Sequence, residues 1–129
     1  VLCALGLLGS GSLAGAEGTE PVAGGWKGKT KQGFPVYFGV REGPTVANVR
    51  ITYRDAICGK ASPKNPTLTM PVDEYGHFSG TVYPANGGVE IEGTFTGPRS
   101  MKGAIVAGEA SGLPGCLGGR FPFTAHPKG

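Results

Sequence analysis

The chain has 129 residues, with 12 Lys and Arg against 9 Asp and Glu for a formal net charge of +3. Charged residues are 16% of it, against about 25% in an ordinary globular domain, which excludes charge-driven disorder and a strongly basic nucleic-acid protein. Its 25 glycines follow no three-residue period, so collagen is excluded and turns or closely packed strands are favoured.

Val1 to Ala16 reads as the remnant of a secretory signal peptide. An apolar run from Val1 to Leu8 leads into a small, weakly polar stretch from Gly9 to Leu13. Ala14-Gly15-Ala16 then offers the small residues a signal peptidase accepts, with cleavage expected after Ala16. A membrane-spanning helix needs roughly 20 apolar residues, and Gly6, Gly9, Gly11 and Gly15 interrupt a shorter run, so no transmembrane segment is expected. Cys3 does not fit a lipid-anchored cysteine, since Leu2 precedes it and the apolar run follows. Residues 17–24 read as a flexible linker and 25–129 as one β domain. The expected location is secreted, periplasmic or in the cell envelope.

Beyond the linker, short β-type segments alternate with glycine and proline. The predicted strands are Gly25 to Thr30, Pro35 to Val40, Thr45 to Tyr53, Thr67 to Val72, His77 to Tyr83, Gly88 to Phe95, Met101 to Ala110 and Arg120 to Ala125. Period-two alternation is clearest where Val49, Ile51 and Tyr53 alternate with Arg50 and Thr52. It recurs where Val89, Ile91, Gly93 and Phe95 alternate with Glu90, Glu92 and Thr94. Gly33, Gly43-Pro44, Asn65-Pro66, Tyr75-Gly76, Asn86-Gly87-Gly88, Gly97-Pro98 and Gly112 to Gly115 mark turns, and Asn86-Gly87 is the strongest hairpin signal. No window carries a capped helical period. About eight short strands with such breaks predict an all-β fold, a single antiparallel β-sandwich or, alternatively, a small closed β-barrel.

With Cys3 removed, an exported chain keeps Cys58 and Cys116, an even pair that reads as one disulfide. Loop-entropy reasoning gives so long a closed segment about 4 kcal/mol of stabilisation. The bridge is expected to hold the C-terminal strand to the body, so that reduction loosens the C-terminal segment before the core. A zinc set of Cys58, Cys116, His77 and His126 lacks the short ligand spacings of structural sites, so neither metal nor cofactor is expected. Ala23 to Thr30 fits a relaxed phosphate-binding loop, with Gly28-Lys29-Thr30 at its end. That loop must open a helix, and Gly33 and Pro35 bar one, so no nucleotide is expected.

The stretch Trp26-Lys27-Gly28-Lys29-Thr30-Lys31-Gln32-Gly33-Phe34-Pro35-Val36-Tyr37-Phe38 is followed by Cys58, Gly76-His77-Phe78, Gly93-Thr94-Phe95 and Cys116. It resembles a layout of small exported bacterial β proteins, in which a G-x-W-x-G-x-T-x-Q-G-x-P strand pair opens the domain and two cysteines close it. The resemblance implies the same strand-rich fold over nearly all the chain after Ala16. That group has no assigned activity, so no functional residue is implied. Phe121-Pro122-Phe123 departs from the tryptophan expected in the last strand.

Two candidate contact sites follow from strand register. Lys27, Lys29 and Lys31 alternate, which sets three ammonium groups on one face, opposite Trp26, Gly28 and Thr30, where they can meet an anionic surface or discourage edge-to-edge aggregation. Tyr37 and Tyr83 fall opposite Phe38 and Val82, on an outward face where a ring can stack on a sugar. Arg50 and Arg54 are expected to find cross-strand partners in Glu90 and Glu92. Catalysis has little to stand on. No serine sits in G-x-S-x-G, His126 lies near the chain end, and the carboxylates Asp73, Glu74, Glu90 and Glu92 have unknown separations. The expected function is a non-catalytic binding or envelope-associated domain with a polysaccharide or envelope protein as partner and no specific nucleic acid. A small secreted hydrolase is the alternative.

Overall fold

A computed structural model describes residues 20–84, 88–109 and 116–129. Residues 1–19, with the expected signal peptide and Cys3, lie outside them, as do the turns expected at Asn86-Gly87 and at Gly112 to Gly115. Among the described residues ten strands form: β1 Gly24–Thr30, β2 Pro35–Arg41, β3 Thr45–Ile51, β4 Tyr53–Asp55, β5 Gly59–Ala61, β6 Lys64–Pro71, β7 His77–Tyr83, β8 Val89–Gly97, β9 Ser100–Ala107 and β10 Gly119–Pro127.

Eight of them make one antiparallel sheet in the order β6-β3-β2-β1-β10-β9-β8-β7, and β4 and β5 pair as a separate hairpin. Neighbours in the sheet are neighbours in the chain, apart from that hairpin between β3 and β6 and the pairing of the first strand, β1, with the last, β10. The two edge strands, β6 and β7, then face each other. Asn65 Nδ2 donates to the Val82 carbonyl at 3.4 Å, and a Cβ on Gly80 would meet Met70 Cγ and Sδ at 2.8 Å. The sheet is therefore nearly closed, and both the sandwich and the barrel description fit the all-β expectation.

Alternation explains which side chains point inward. In β8, Val89, Ile91 and Phe95 are buried and Glu90 is exposed. Four aromatic rings meet in the interior. Trp26 stacks on Phe38 at 5.9 Å and meets Phe95 edge-on at 5.1 Å, while Phe78 packs on Phe95 at 5.6 Å. The buried indole keeps a partner for its N–H, as such groups must, donating from Nε1 to the Val22 carbonyl at 2.8 Å. The Val22 N–H in turn donates to the Pro98 carbonyl at 2.9 Å. Within the stretch expected as a linker, the chain is thus attached to the body before β1 begins.

Three details differ from the sequence reading. The predicted third strand divides at Thr52 into β3 and β4, and Asn48 within β3 takes φ 55°, at register shifts toward both neighbours. Asparagine tolerates this left-handed backbone, and the extra residue bends the strand as a bulge. Gly59–Ala61 adds a short strand that the pattern did not announce. Arg50 and Arg54 do not pair with Glu90 and Glu92, because β3, which carries Arg50, lies between β2 and β6, and β4, which carries Arg54, pairs with β5, whereas β8 lies between β9 and β7. Arg50 instead covers the Tyr37 ring at 4.9 Å and Arg54 the Phe34 ring at 5.9 Å.

The Cys58–Cys116 disulfide forms, with Cα atoms 5.1 Å apart. It fastens the β4–β5 turn to the segment entering β10. Beside it, Asp55 is 3% exposed, and its carboxylate is saturated by backbone donors. Oδ1 accepts from Ile57 (2.8 Å), Cys58 (3.0 Å) and Leu117 (3.1 Å), and Oδ2 from Gly118 (2.7 Å). The N–H groups of Cys58 and Ile57 are the main reason this carboxyl ionises well below the usual range.

Candidate functional site

A groove of about 1030 Å³ lies on the outer face of the sheet. Its form follows from register. On one wall, Lys29, Thr124, Lys102, Thr94 and His77 stand side by side on β1, β10, β9, β8 and β7. The next outward row supplies the other wall. There Pro122 and Glu92 flank Ala104, Ser79 continues from Glu92, and Lys31 adjoins Pro122 through its backbone N–H at 3.0 Å.

Between these walls runs the row Thr30, Phe123, Gly103, Gly93 and Phe78, whose phenyl rings are buried in the core. The floor is therefore largely backbone. Glycine is required at its centre: a Cβ on Gly93 would meet Met101 Cε at 2.5 Å and Phe78 Cζ at 2.7 Å, and one on Gly103 would collide with the backbone carbonyl of Glu92 on the neighbouring strand.

Charge in the groove is asymmetric. Arg120 Nη1 holds Glu92 Oε2 at 2.9 Å, the one salt bridge among the described residues. Half-exposed pairs of this kind contribute under about 1 kcal/mol, but this one neutralises Glu92. Asp73 lines the far end, where its carboxylate accepts the N–H groups of Tyr75 (2.8 Å) and His77 (2.9 Å). The His77 N–H is the largest cause of its lowered pKa. Lys29, Lys31 and Lys102 remain without a carboxylate partner among the described residues. Lys29 and Lys102 stand two strand spacings apart, roughly 10 Å.

The lysine stripe is thus placed differently from its expected form. Lys27 and Lys29 project from β1, but Lys31 lies in the turn after it, and only Lys29 and Lys31 line the groove. Tyr37 and Tyr83 are not brought together, since they sit on β2 and β7. Tyr37 is half-buried, with Lys128 Nζ 5.2 Å from its ring centre as well as the Arg50 guanidinium. Tyr83 is 43% exposed on the edge strand, and neither ring lines the groove. The most exposed aromatic is Tyr75, at 73%, in the turn between β6 and β7 whose Asp73 and His77 line the groove end. Its ring lies 6.5 Å from that of His77.

Of the candidate carboxylates, Asp73 and Glu92 line the groove and Glu74 and Glu90 do not. The zinc set of Cys58, Cys116, His77 and His126, set aside on spacing, is not available to a metal, because the disulfide leaves neither cysteine a thiolate. The same holds for Asp55, Cys58 and Cys116, whose ligand atoms lie within 4.8 Å of one another. Sequence reading missed Lys102, Arg120 and Tyr75. Lys102 was legible as an outward position of a strand, but nothing local says that β9 stands two strands from β1. No model of a known protein family, no characterised protein and no solved structure matches this chain.

Proposed function

We propose that this is a non-catalytic binding domain of the extracellular or envelope space that holds an acidic polysaccharide in the groove across β1, β10, β9, β8 and β7. The observation that carries the reading is the set Lys29, Lys31 and Lys102, three ammonium groups lining one groove with no carboxylate paired to them among the described residues. Opposed charge supplies affinity, and the flanking hydroxyls of Ser79, Thr94 and Thr124 suit the hydrogen-bonding edges of sugars. Tyr75 at the groove end offers the apolar face on which a sugar ring stacks. A nucleic acid is the weaker match. Single strands are held by successive aromatic platforms, and the groove walls carry none.

The test is retention of the oxidised protein on an immobilised acidic polysaccharide, with a neutral polysaccharide as control and salt as the variable. Retention on the acidic polymer that falls with salt and is lost in the Lys29→Ala, Lys102→Ala double variant supports the reading. Equal retention on both polymers refutes it. Release of shorter fragments from the polymer by wild type, abolished in His77→Ala, assigns the groove to a hydrolase instead.

A further inference from the structure

A second surface lies at the tip of the β4–β5 hairpin. Ile57 and Leu117 are 60% and 55% exposed, far apart in sequence, and placed beside each other by the Cys58–Cys116 bond. A single carboxylate oxygen, Asp55 Oδ1, accepts the backbone N–H groups of both, so the two aliphatic side chains are presented from a rigid base. Behind the tip, Arg54 and Lys60 are direct cross-strand partners. Both lie over the Phe34 ring, at 5.9 Å and 5.7 Å. Gln32 locks the β1–β2 turn to this hairpin. Its Oε1 accepts the Arg54 N–H at 2.9 Å and its Nε2 donates to the Arg54 carbonyl at 3.0 Å.

The only carboxylate on the hairpin, Asp55, is turned inward and saturated by backbone donors, so it does not oppose the approach of an anion. Neither Arg54 nor Lys60 has an acidic partner among the described residues. We infer that this tip docks on an anionic lipid bilayer, with Ile57 and Leu117 entering the boundary of the acyl region and Arg54 and Lys60 meeting the phosphates. Charge complementarity selects this occupant, because apolar side chains backed by a basic collar are what interfacial anchoring uses. A protein partner is the poorer fit, since a stable protein interface buries roughly 1,200–2,000 Å² and two aliphatic side chains supply a small part of that. The inference is independent of the polysaccharide groove, whose lining includes neither the aliphatic pair nor Arg54 and Lys60.

The experiment is co-sedimentation of the full oxidised chain with vesicles of mixed phosphatidylcholine and phosphatidylglycerol, against vesicles of phosphatidylcholine alone. Binding is expected to the mixed vesicles only. The exposed double change Ile57→Ser, Leu117→Ser should weaken it at least about tenfold, from the loss of buried methylene groups. Arg54→Gln and Lys60→Gln should each weaken it roughly fivefold, while the Lys29→Ala, Lys102→Ala variant should bind vesicles as wild type does. Near-ultraviolet circular dichroism of each variant establishes that the fold is kept. Absence of vesicle binding overturns the proposal. So does vesicle binding that survives the Ile57, Leu117 change but is lost with Lys29 and Lys102, or an Ile57, Leu117 variant that loses only a protein partner.

Discussion

The carboxylate of Asp55 accepts the backbone N–H of Gly118 at 2.7 Å across 63 residues of sequence. One small acid thereby closes its own turn and fastens the segment that leads into β10. Its folded-state pKa is depressed by these donors, so its stabilising effect is complete above the unfolded-state value of about 3.9 and is lost as pH falls below it toward the lower folded value. The melting temperature of wild type is expected to decline steeply below about pH 4. Asp55→Asn should melt lower at neutral pH and show a shallower acid decline. Thermal scans across pH check this, and an unchanged acid slope in the variant would remove Asp55 from the account.

Reduction should act on the same corner. The sequence reading has the C-terminal segment loosening before the core, and within that segment β10 is paired on both sides, with β9 and with β1. The disulfide restrains the β4–β5 hairpin and residues 116–118 directly. Cys58→Ser with Cys116→Ser should cost about 2–5 kcal/mol. Hydrogen exchange of the reduced protein should show protection lost at 53–61 and 116–118 while β10 stays protected.

These corrections have a common physical origin. Alternation in a strand is a local property, so Val89, Ile91 and Phe95 announced the inward face of β8 from sequence alone, and the expectation of export, which left an even pair of cysteines after Ala16, announced the Cys58–Cys116 bond. Which strands become neighbours is a property of the whole sheet. Arg50 and Glu90 therefore looked like partners although their strands never meet. The groove was half legible for the same reason: Lys29 was identified on its outward face, while Lys102 joins it only through the β1-β10-β9 order. Asp55 shows the opposite failure. Its turn is local, but one acid among turn residues carries no sign that Leu117 and Gly118 will return to it.

Gly28 tests how tightly the β1–β10 pair is built. A Cβ there would collide with the Thr124 carbonyl and lie 2.8 Å from Ala125 Cβ, inside a ladder where neither backbone has room to retreat. Gly28→Ala is expected to destabilise by about 1–3 kcal/mol, the range for overpacking, despite the better strand conformational entropy of alanine. A lower urea midpoint at constant slope would bear this out, and an unchanged midpoint would mean that the two strands separate more easily than their packing indicates.

Charge reversal separates a groove from a diffusely basic surface. Lys102 is exposed and has no ion-pair partner among the described residues, so Lys102→Glu should change stability by no more than about 0.5 kcal/mol. In the groove, it would set a carboxylate directly across from Thr124 and two strands from Lys29, and repel an acidic polymer at its midpoint. Lys64→Glu, on edge strand β6 and outside the groove lining, alters net charge by the same amount. Polysaccharide retention should fall sharply for the first variant and little for the second. Tyr75→Ala should lower mainly the retention that survives high salt, because stacking is not screened as charge is. Equal losses from Lys102→Glu and Lys64→Glu would mean that overall charge, rather than the arrangement of Lys29, Lys31 and Lys102, governs binding.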